Sequence, residues 1–372
     1  GEQIAKVGIL AKPELNLCSC VFDLLSKTTR PYIKEDFAFH CLPMDYKENW
    51  ELPKNFCRLI TTSMGFEWDF SKDSPIISGD PGLDSDFIKV IEFIQEWMGY
   101  SLISGNRLHR NLIMCGTGRN GIGGLQEVWS GMLGDHNVSK LDLKYINDPV
   151  MIVRTKNKLI NFSYDLDSGQ QLDTGIVKAA AAGEWVTGRE LYKNPIEFRF
   201  TAKLVIACNE LPYVRNMGPA IRERFYILPF LRQFNGKERD PDLKNKIIEK
   251  ELSSVFSWAI AGLERLLTRG DFDPPERSRL AGEVFSDEYD VIKQWMEEMG
   301  IKLEKKSSCK RSALWISFSN FCKGGGYRYQ KSRFFSKLRE IGLETGNLPD
   351  GIYIKGITAP PDSTIIDHGI WP

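Results

Sequence analysis

Five of the nine residues from Gly116 to Gly124 are glycine (Gly116-Thr117-Gly118-Arg119-Asn120-Gly121-Ile122-Gly123-Gly124). An apolar run, Leu112-Ile113-Met114-Cys115, leads into this stretch. Leu125, Val128, Trp129, Met132 and Leu133 follow at i, i+3, i+4, i+7 and i+8, the spacing of an amphipathic helix. A strand feeding a helix through a glycine-rich turn belongs in an α/β sheet, and it has the context of a phosphate-binding loop. Glycines let the backbone curl until successive N–H groups face one anion, and the helix start adds the positive end of its dipole. The Gly116-x4-Gly121 spacing fits such a loop; a glycine-rich turn without a ligand is the plainer alternative. The next two positions do not fit. Ile122 stands where a lysine would reach the β- and γ-phosphates, and Gly123 where a Ser or Thr hydroxyl would hold Mg²⁺.

The rest of the chain divides into three blocks: 1–85, 86–270 and 271–372. The first has irregular apolar runs broken by prolines and closes on a Gly/Pro/Asp/Ser stretch, Ser78 to Ser85, that reads as a linker. The second alternates helix and strand signals. It has a helix through Phe87, Val90, Ile91, Ile94, Trp97 and Met98, strands at 150–153, 159–162, 204–208 and 225–230, and one long helix from Leu243 to Leu267. That alternation predicts an α/β core around a mostly parallel sheet covered on both faces. The third block begins acidic, with nine Asp/Glu against three Lys/Arg over 271–300. It turns basic over 301–340, with eleven Lys/Arg against two Glu, and this shift predicts a separate module.

Over all 372 residues Lys+Arg and Asp+Glu are equal at 49, so a nucleic-acid partner would need a local basic patch. No apolar run reaches 18 residues, so no membrane span is expected. Eight dispersed cysteines are expected to be reduced thiols in a cytoplasmic protein. The chain opens on Gly1-Glu2-Gln3, without Met or a signal pattern, and is expected to be part of something longer.

Downstream of the loop, several motifs occur in order. Lys158 to Asp165 reads as a strand ending in an acid. Leu172-Asp173-Thr174-Gly175 with Lys178, Gly183-Glu184 and Arg189-Glu190-Leu191-Tyr192-Lys193 follow. Thr201 to Pro212 is a strand ending in the polar Asn209, and Ala220-Ile221-Arg222-Glu223-Arg224-Phe225 carries paired arginines. Together with the loop, these resemble the helicase domain of phage, plasmid and poxvirus primase-helicases, superfamily 3 helicases of the AAA+ class. The resemblance implies an AAA+ P-loop core with a helical N-terminal element and a C-terminal winged-helix-like module. It also implies a homo-oligomer, expected as a hexameric ring, around single-stranded or forked DNA, with ATP and Mg²⁺ at subunit interfaces. An upstream primase or polymerase domain is expected in the same protein, and the host cytoplasm as its location.

Carried over residue by residue, Gly116 to Gly124 would hold nucleotide. Asp165 would hold Mg²⁺ or orient water, and Asn209 would sense the γ-phosphate. Arg224, with Arg222 beside it, would act on a neighbouring subunit's nucleotide. Hydrolysis is expected to be weak or lost, because backbone N–H groups alone replace the lysine charge poorly; Lys178 or Arg119 could supply a substitute. The rival expectation is a non-hydrolysing, DNA-binding oligomerisation scaffold for the upstream domain.

Trp185 to Phe200 predicts a hairpin with its turn at Tyr192-Lys193-Asn194-Pro195. In the family this hairpin enters the ring channel, so Lys193 is a candidate DNA-phosphate contact. Lys331, Arg333 and Lys337, with Arg339, fall on the second of two helices around Gly324-Gly325-Gly326, a position suited to a DNA groove. The interleaved aromatics Trp315, Phe318, Phe334 and Phe335 read as that module's core. Cys18, Cys20, His40 and Cys41 lack zinc spacing and read as incidental.

Overall fold

A computed structural model of the chain describes residues 14–36, 39–69, 71–72, 74–76, 81–164, 171–172, 174–209, 211, 213–214, 223–235, 240–287, 290–324, 329–349 and 351–361. Contacts divide it into two units, Gly1–Gly282 and Glu283–Pro372.

The first unit opens with an antiparallel meander of β1 (Glu14–Asn16), β2 (Val21–Asp23) and β3 (Thr28–Arg30). Helix α1 (Lys54–Ser63), the small pair β4 (Trp68–Asp69) and β5 (Ser74–Pro75), and the long α2 (Pro81–Tyr100) follow. The N-terminal element therefore holds strands as well as helix. It shares one core with the sheet, because Leu15, Phe22, Phe56 and Ile60 are buried in the same cluster as Met114, Trp129 and Phe162. Of the expected linker Ser78 to Ser85, residues 78–80 lie outside the described residues and 81–85 form the start of α2, inside one unit.

The central sheet contains β6 (Asn111–Cys115), β7 (Val138–Ser139), β8 (Ile160–Ser163), β12 (Lys203–Cys208) and β14 (Phe225–Pro229). All pair in parallel, in the order β14-β6-β12-β8-β7. Counted in chain order within the sheet, that is 5-1-4-3-2. Strands such as Lys203–Cys208 are buried at every position, as a sheet with helices on both faces requires. This is a P-loop-type α/β core, as the sequence predicts. Helix α3 (Ile122–Leu133) leaves the loop after β6 and buries Leu125, Val128, Trp129, Met132 and Leu133.

Between β8 and β12 lie the short β9 (Gln171–Leu172), which pairs in parallel with β13 (Tyr213–Val214) beyond β12, helix α4 (Thr174–Ala182), and the hairpin β10 (Trp185–Arg189) with β11 (Pro195–Arg199). Three helices complete the unit and its exit: α5 (Leu243–Lys250), α6 (Leu252–Arg269) and α7 (Glu276–Asp287).

Two local expectations change. Residues 150–153 do not form a strand; a 3-10 turn covers Ile152–Thr155. The long helix predicted from 243 to 267 breaks at Glu251, whose carboxylate accepts hydrogen bonds from the backbone N–H groups of Asn55 and Phe56, at 3.0 Å each. The residue is held to cap α1, which supplies no N-cap side chain of its own. The unit boundary also falls at 282/283 rather than 270/271. Phe272 stacks on Trp97 at 4.8 Å and Arg277 pairs with Asp86, so the chain just past residue 270 still packs on α2.

The second unit runs α8 (Asp290–Glu298), β15 (Leu303–Lys310), α9 (Arg311–Gly324), α10 (Lys331–Glu340), β16 (Glu344–Leu348) and β17 (Gly351–Ile357). Its antiparallel sheet has the order β15-β17-β16. This is the helix–strand–helix–helix–hairpin pattern of a winged helix. Trp295, Phe318 and Phe334 fill its core, with Phe318 and Phe334 stacked at 4.3 Å.

Candidate nucleotide-binding loop and nucleic-acid contacts

The loop sits where β6 ends at the carboxyl edge of the sheet. Its neighbours fix both ends: Gly116 N–H donates to Cys208 O at 3.0 Å, and Phe234 N–H donates to Arg119 O at 2.8 Å. Gly118, Arg119 and Gly121 all have positive φ, at 82°, 51° and 88°. Gly121 has a second reason to be glycine, since a Cβ there would lie 2.0 Å from Ser63 Oγ at the end of α1. Inside the loop the buried Asn120 side chain accepts a hydrogen bond from Ile122 N–H at 3.2 Å, pinning the first turn of α3. The N–H groups of Thr117, Arg119, Asn120 and Gly121 donate to no acceptor among the described residues. Backbone N–H groups left without acceptors just before a helix N-terminus are the kind of donors that anions bind.

Ile122 takes no part in it. The side chain is 6% exposed and belongs to the core cluster with Leu125 and Val128. The position that would carry the phosphate-reaching cation is thus spent on packing α3 into the core. Gly123 faces open space, with nothing within 4 Å of where a Cβ would stand, so the metal-holding hydroxyl is absent although there is room for it. The loop offers Mg²⁺ no side-chain ligand at either position.

Asn209 lies directly after β12, the strand next to the loop strand. A Cβ on Gly118 would be 3.8 Å from Asn209 Oδ1, so this amide faces the loop as a phosphate sensor must. Asp165 and Arg222 lie outside the described residues; β8 ends two residues before Asp165. Arg224 precedes β14 and its carbonyl accepts from Asn111 N–H at 2.7 Å. Phe225 pairs with Asn111 while Pro229 pairs with Cys115. The arginine therefore sits roughly 16 Å along the strand from the loop end. Within one chain, Arg224 and the loop are at opposite ends of the sheet. The residue is half-buried and makes an interaction within the chain. Cys115 and Cys208 are paired neighbours beside the loop, and the Cys208 thiol is pushed up by its hydrogen bond with Cys115 and by burial, so it stays protonated.

The hairpin forms as expected, with Trp185 opposite Arg199 and Arg189 opposite Pro195. Lys193 is exposed at the tip, but it is paired with Glu190, so its charge is partly neutralised. The more prominent tip residue is Tyr192, 97% exposed and held at φ 62°, a left-handed conformation costly for a bulky side chain. Its exposure could not be read from the pattern, which marks only a turn.

In the winged helix all three candidate cations lie on α10, but differently. Lys331 is exposed, 6.0 Å from the Trp315 ring centroid. Arg333 is half-buried, 5.9 Å from that of Tyr329. Lys337 is only 7% exposed and is engaged inside the protein, so it presents no charge to a groove. Its neighbours Phe334, Phe335 and Leu338 carry that face of the helix into the core.

No family model matches the chain. Two viral proteins, each named "Putative helicase", are similar to it. That of Acanthamoeba polyphaga mimivirus is 24% identical over 185 residues, covering 47% of this chain and 19% of the relative. That of Invertebrate iridescent virus 3 is 24% identical over 251 residues, covering 58% and 27%. The match thus spans about a fifth to a quarter of the relatives' length. Among solved structures, the apo NrS-1 C terminal region aligns over 93% of this chain and 82% of its own, with TM-score 0.47 and 12% identity. A second structure of that region aligns over 84% and 77%, with TM-score 0.43 and 14% identity.

Proposed function

We propose that this chain is the helicase-type ring module of a viral or phage DNA-replication protein, of the superfamily 3 AAA+ kind, that binds nucleotide phosphates but hydrolyses ATP weakly or not at all. The observation that carries this reading is the 5-1-4-3-2 parallel sheet with an anion-ready loop after its first strand and Asn209 facing that loop from the adjacent strand. The similarity to two viral helicase-named proteins supports the same direction. Arg224, distant from its own loop, would complete the loop of a neighbouring copy, so the working form would be a ring, hexameric by analogy, with ATP between subunits. Single-stranded or forked DNA would be its track, and a primase or polymerase its upstream neighbour. Mg²⁺ would depend on Asp165, since the loop supplies no ligand.

A non-hydrolysing scaffold is the favoured form of this module, because Ile122 is built into the core rather than displaced from a vacant lysine site. Nucleotide would then act as interface glue. The test is ATP binding by equilibrium dialysis and steady-state hydrolysis with single-stranded DNA, on this chain, Ile122→Lys/Gly123→Ser and Arg224→Ala. The expected result is binding without turnover in the natural chain and measurable turnover in the double variant. Turnover by the natural chain that Arg224→Ala abolishes would overturn the scaffold form and leave a motor. No nucleotide binding by any variant would sink the reading itself.

A further inference from the structure

A cavity of about 650 Å³ opens beside β7, the outer edge strand of the central sheet, well away from the phosphate loop. Ser139, Lys140, Val153, Arg154, Lys156 and Lys158 line it, and no acidic side chain does. Lys140, Arg154 and Lys156 are exposed, while Lys158 is half-buried, its ammonium donating to His136 O. Asp148 accepts the N–H groups of Val150 and Met151, and Glu190 is paired with Lys193. Four cations around one cavity that no carboxylate lines repel one another, an arrangement that suits an incoming polyanion.

The hairpin docks on the same segment. Arg189 N–H donates to Pro149 O at 2.7 Å. A Cβ on Gly188 would come within 2.6 Å of Val153, which lines the cavity. Lys156 is close enough to act on Glu190 near the hairpin tip. The exposed tip, with Leu191, Tyr192 and Lys193, and the cationic cavity therefore share one support. A ring for a base to stack on and a row of cations for its phosphates are the two parts of a single-strand path.

We infer that this cavity is a phosphate-backbone site for single-stranded nucleic acid, continuing the path that begins at the hairpin tip. It rests on the nucleic-acid reading above and adds a site distinct from the tip lysine and from the winged helix. Each phosphate contact on a single strand contributes a slope of about 0.7 in log K against log salt.

The test is binding of a fluorescein-labelled oligo-dT to the full chain by anisotropy across a salt series. Arg154→Gln/Lys156→Gln and Lys193→Gln are the comparisons, with circular dichroism as the fold control. Removing two contacts is expected to lower the slope by about 1.4 and weaken binding about 25-fold at 0.1 M salt, with the curves converging near 1 M. If Arg154→Gln/Lys156→Gln keeps the natural slope and affinity while Lys193→Gln weakens binding, the cavity assignment falls and the ring-module reading stands. If the natural chain binds no oligo-dT at all, both fall.

Discussion

Ile122 and Gly123 are adjacent, yet their structural costs are opposite. Replacing a core isoleucine with lysine gives up about 1.5–3 kcal/mol of burial, whereas a serine at Gly123 enters open space and removes a helix glycine. Ile122→Lys is thus expected to lower the urea midpoint and Gly123→Ser to leave it unchanged or raise it. A midpoint unaffected by Ile122→Lys would mean that the side chain is not part of the core. His40 offers a second residue-scale test. Burial, with the Lys203 side chain nearby, lowers its pKa to about 4, against an ordinary 6.5. The unfolded histidine takes its proton first, so stability is complete above about pH 6.5 and falls as pH drops toward 4. Urea unfolding at pH 7 and pH 5 checks this: the natural chain loses stability between them, and His40→Asn loses measurably less.

At the scale of elements, α2 and α6 are in closer contact than ordinary side chains allow. A Cβ on Gly262 would lie 2.4 Å from Gln95 O, and one on Gly99 2.3 Å from Ala259 O. The crossing is locked by Glu96, which is buried between Arg265 and Arg269, and by Gln95 Nε2 donating to Trp258 O at 2.7 Å. Gly262→Ala gains about 1 kcal/mol of helix propensity but forces the helices apart, and overpacking costs typically 1–3 kcal/mol. Gly282→Ala in α7 meets nothing within 4 Å and should keep the propensity gain. Thermal melts are expected to shift in opposite directions for the two; a shift of the same sign would show that the contact yields without cost. The strong periodicities around Leu125–Leu133 and the strand–glycine–helix order made this core legible in sequence, because the signals are local. The break at Glu251 was not legible, because it answers to the N-terminus of α1, almost two hundred residues away.

For the whole molecule, two contact units with separate hydrophobic clusters predict two unfolding events. Trp295 is fully buried against Phe318 and Phe334 in the second unit. Truncation of such a residue costs about 3–5 kcal/mol. In calorimetry, Trp295→Ala should displace one transition downward and leave the other in place; a single transition moving as a whole would show that the units unfold together. The acidic-to-basic change near residue 300 signalled the second module, but the contact boundary follows Phe272 and Arg277, whose partners on α2 lie far away in sequence.

What the sequence by itself determined was whatever short-range chemistry encodes: the glycine-rich loop between strand and helix with Ile122 at its end, the sheet strands at 112–115 and 204–208, the hairpin, and the order of motifs. Neighbours within a few residues suffice for each. Only the tertiary structure decided the 5-1-4-3-2 strand order, the turn of Asn209 toward the loop, and the separation of Arg224 from its own loop. It also decided the burial of Lys337 and the gathering of Lys140, Arg154, Lys156 and Lys158 around one cavity. Burial and convergence depend on which elements pack together, and that is settled by long-range contacts that no window of sequence contains.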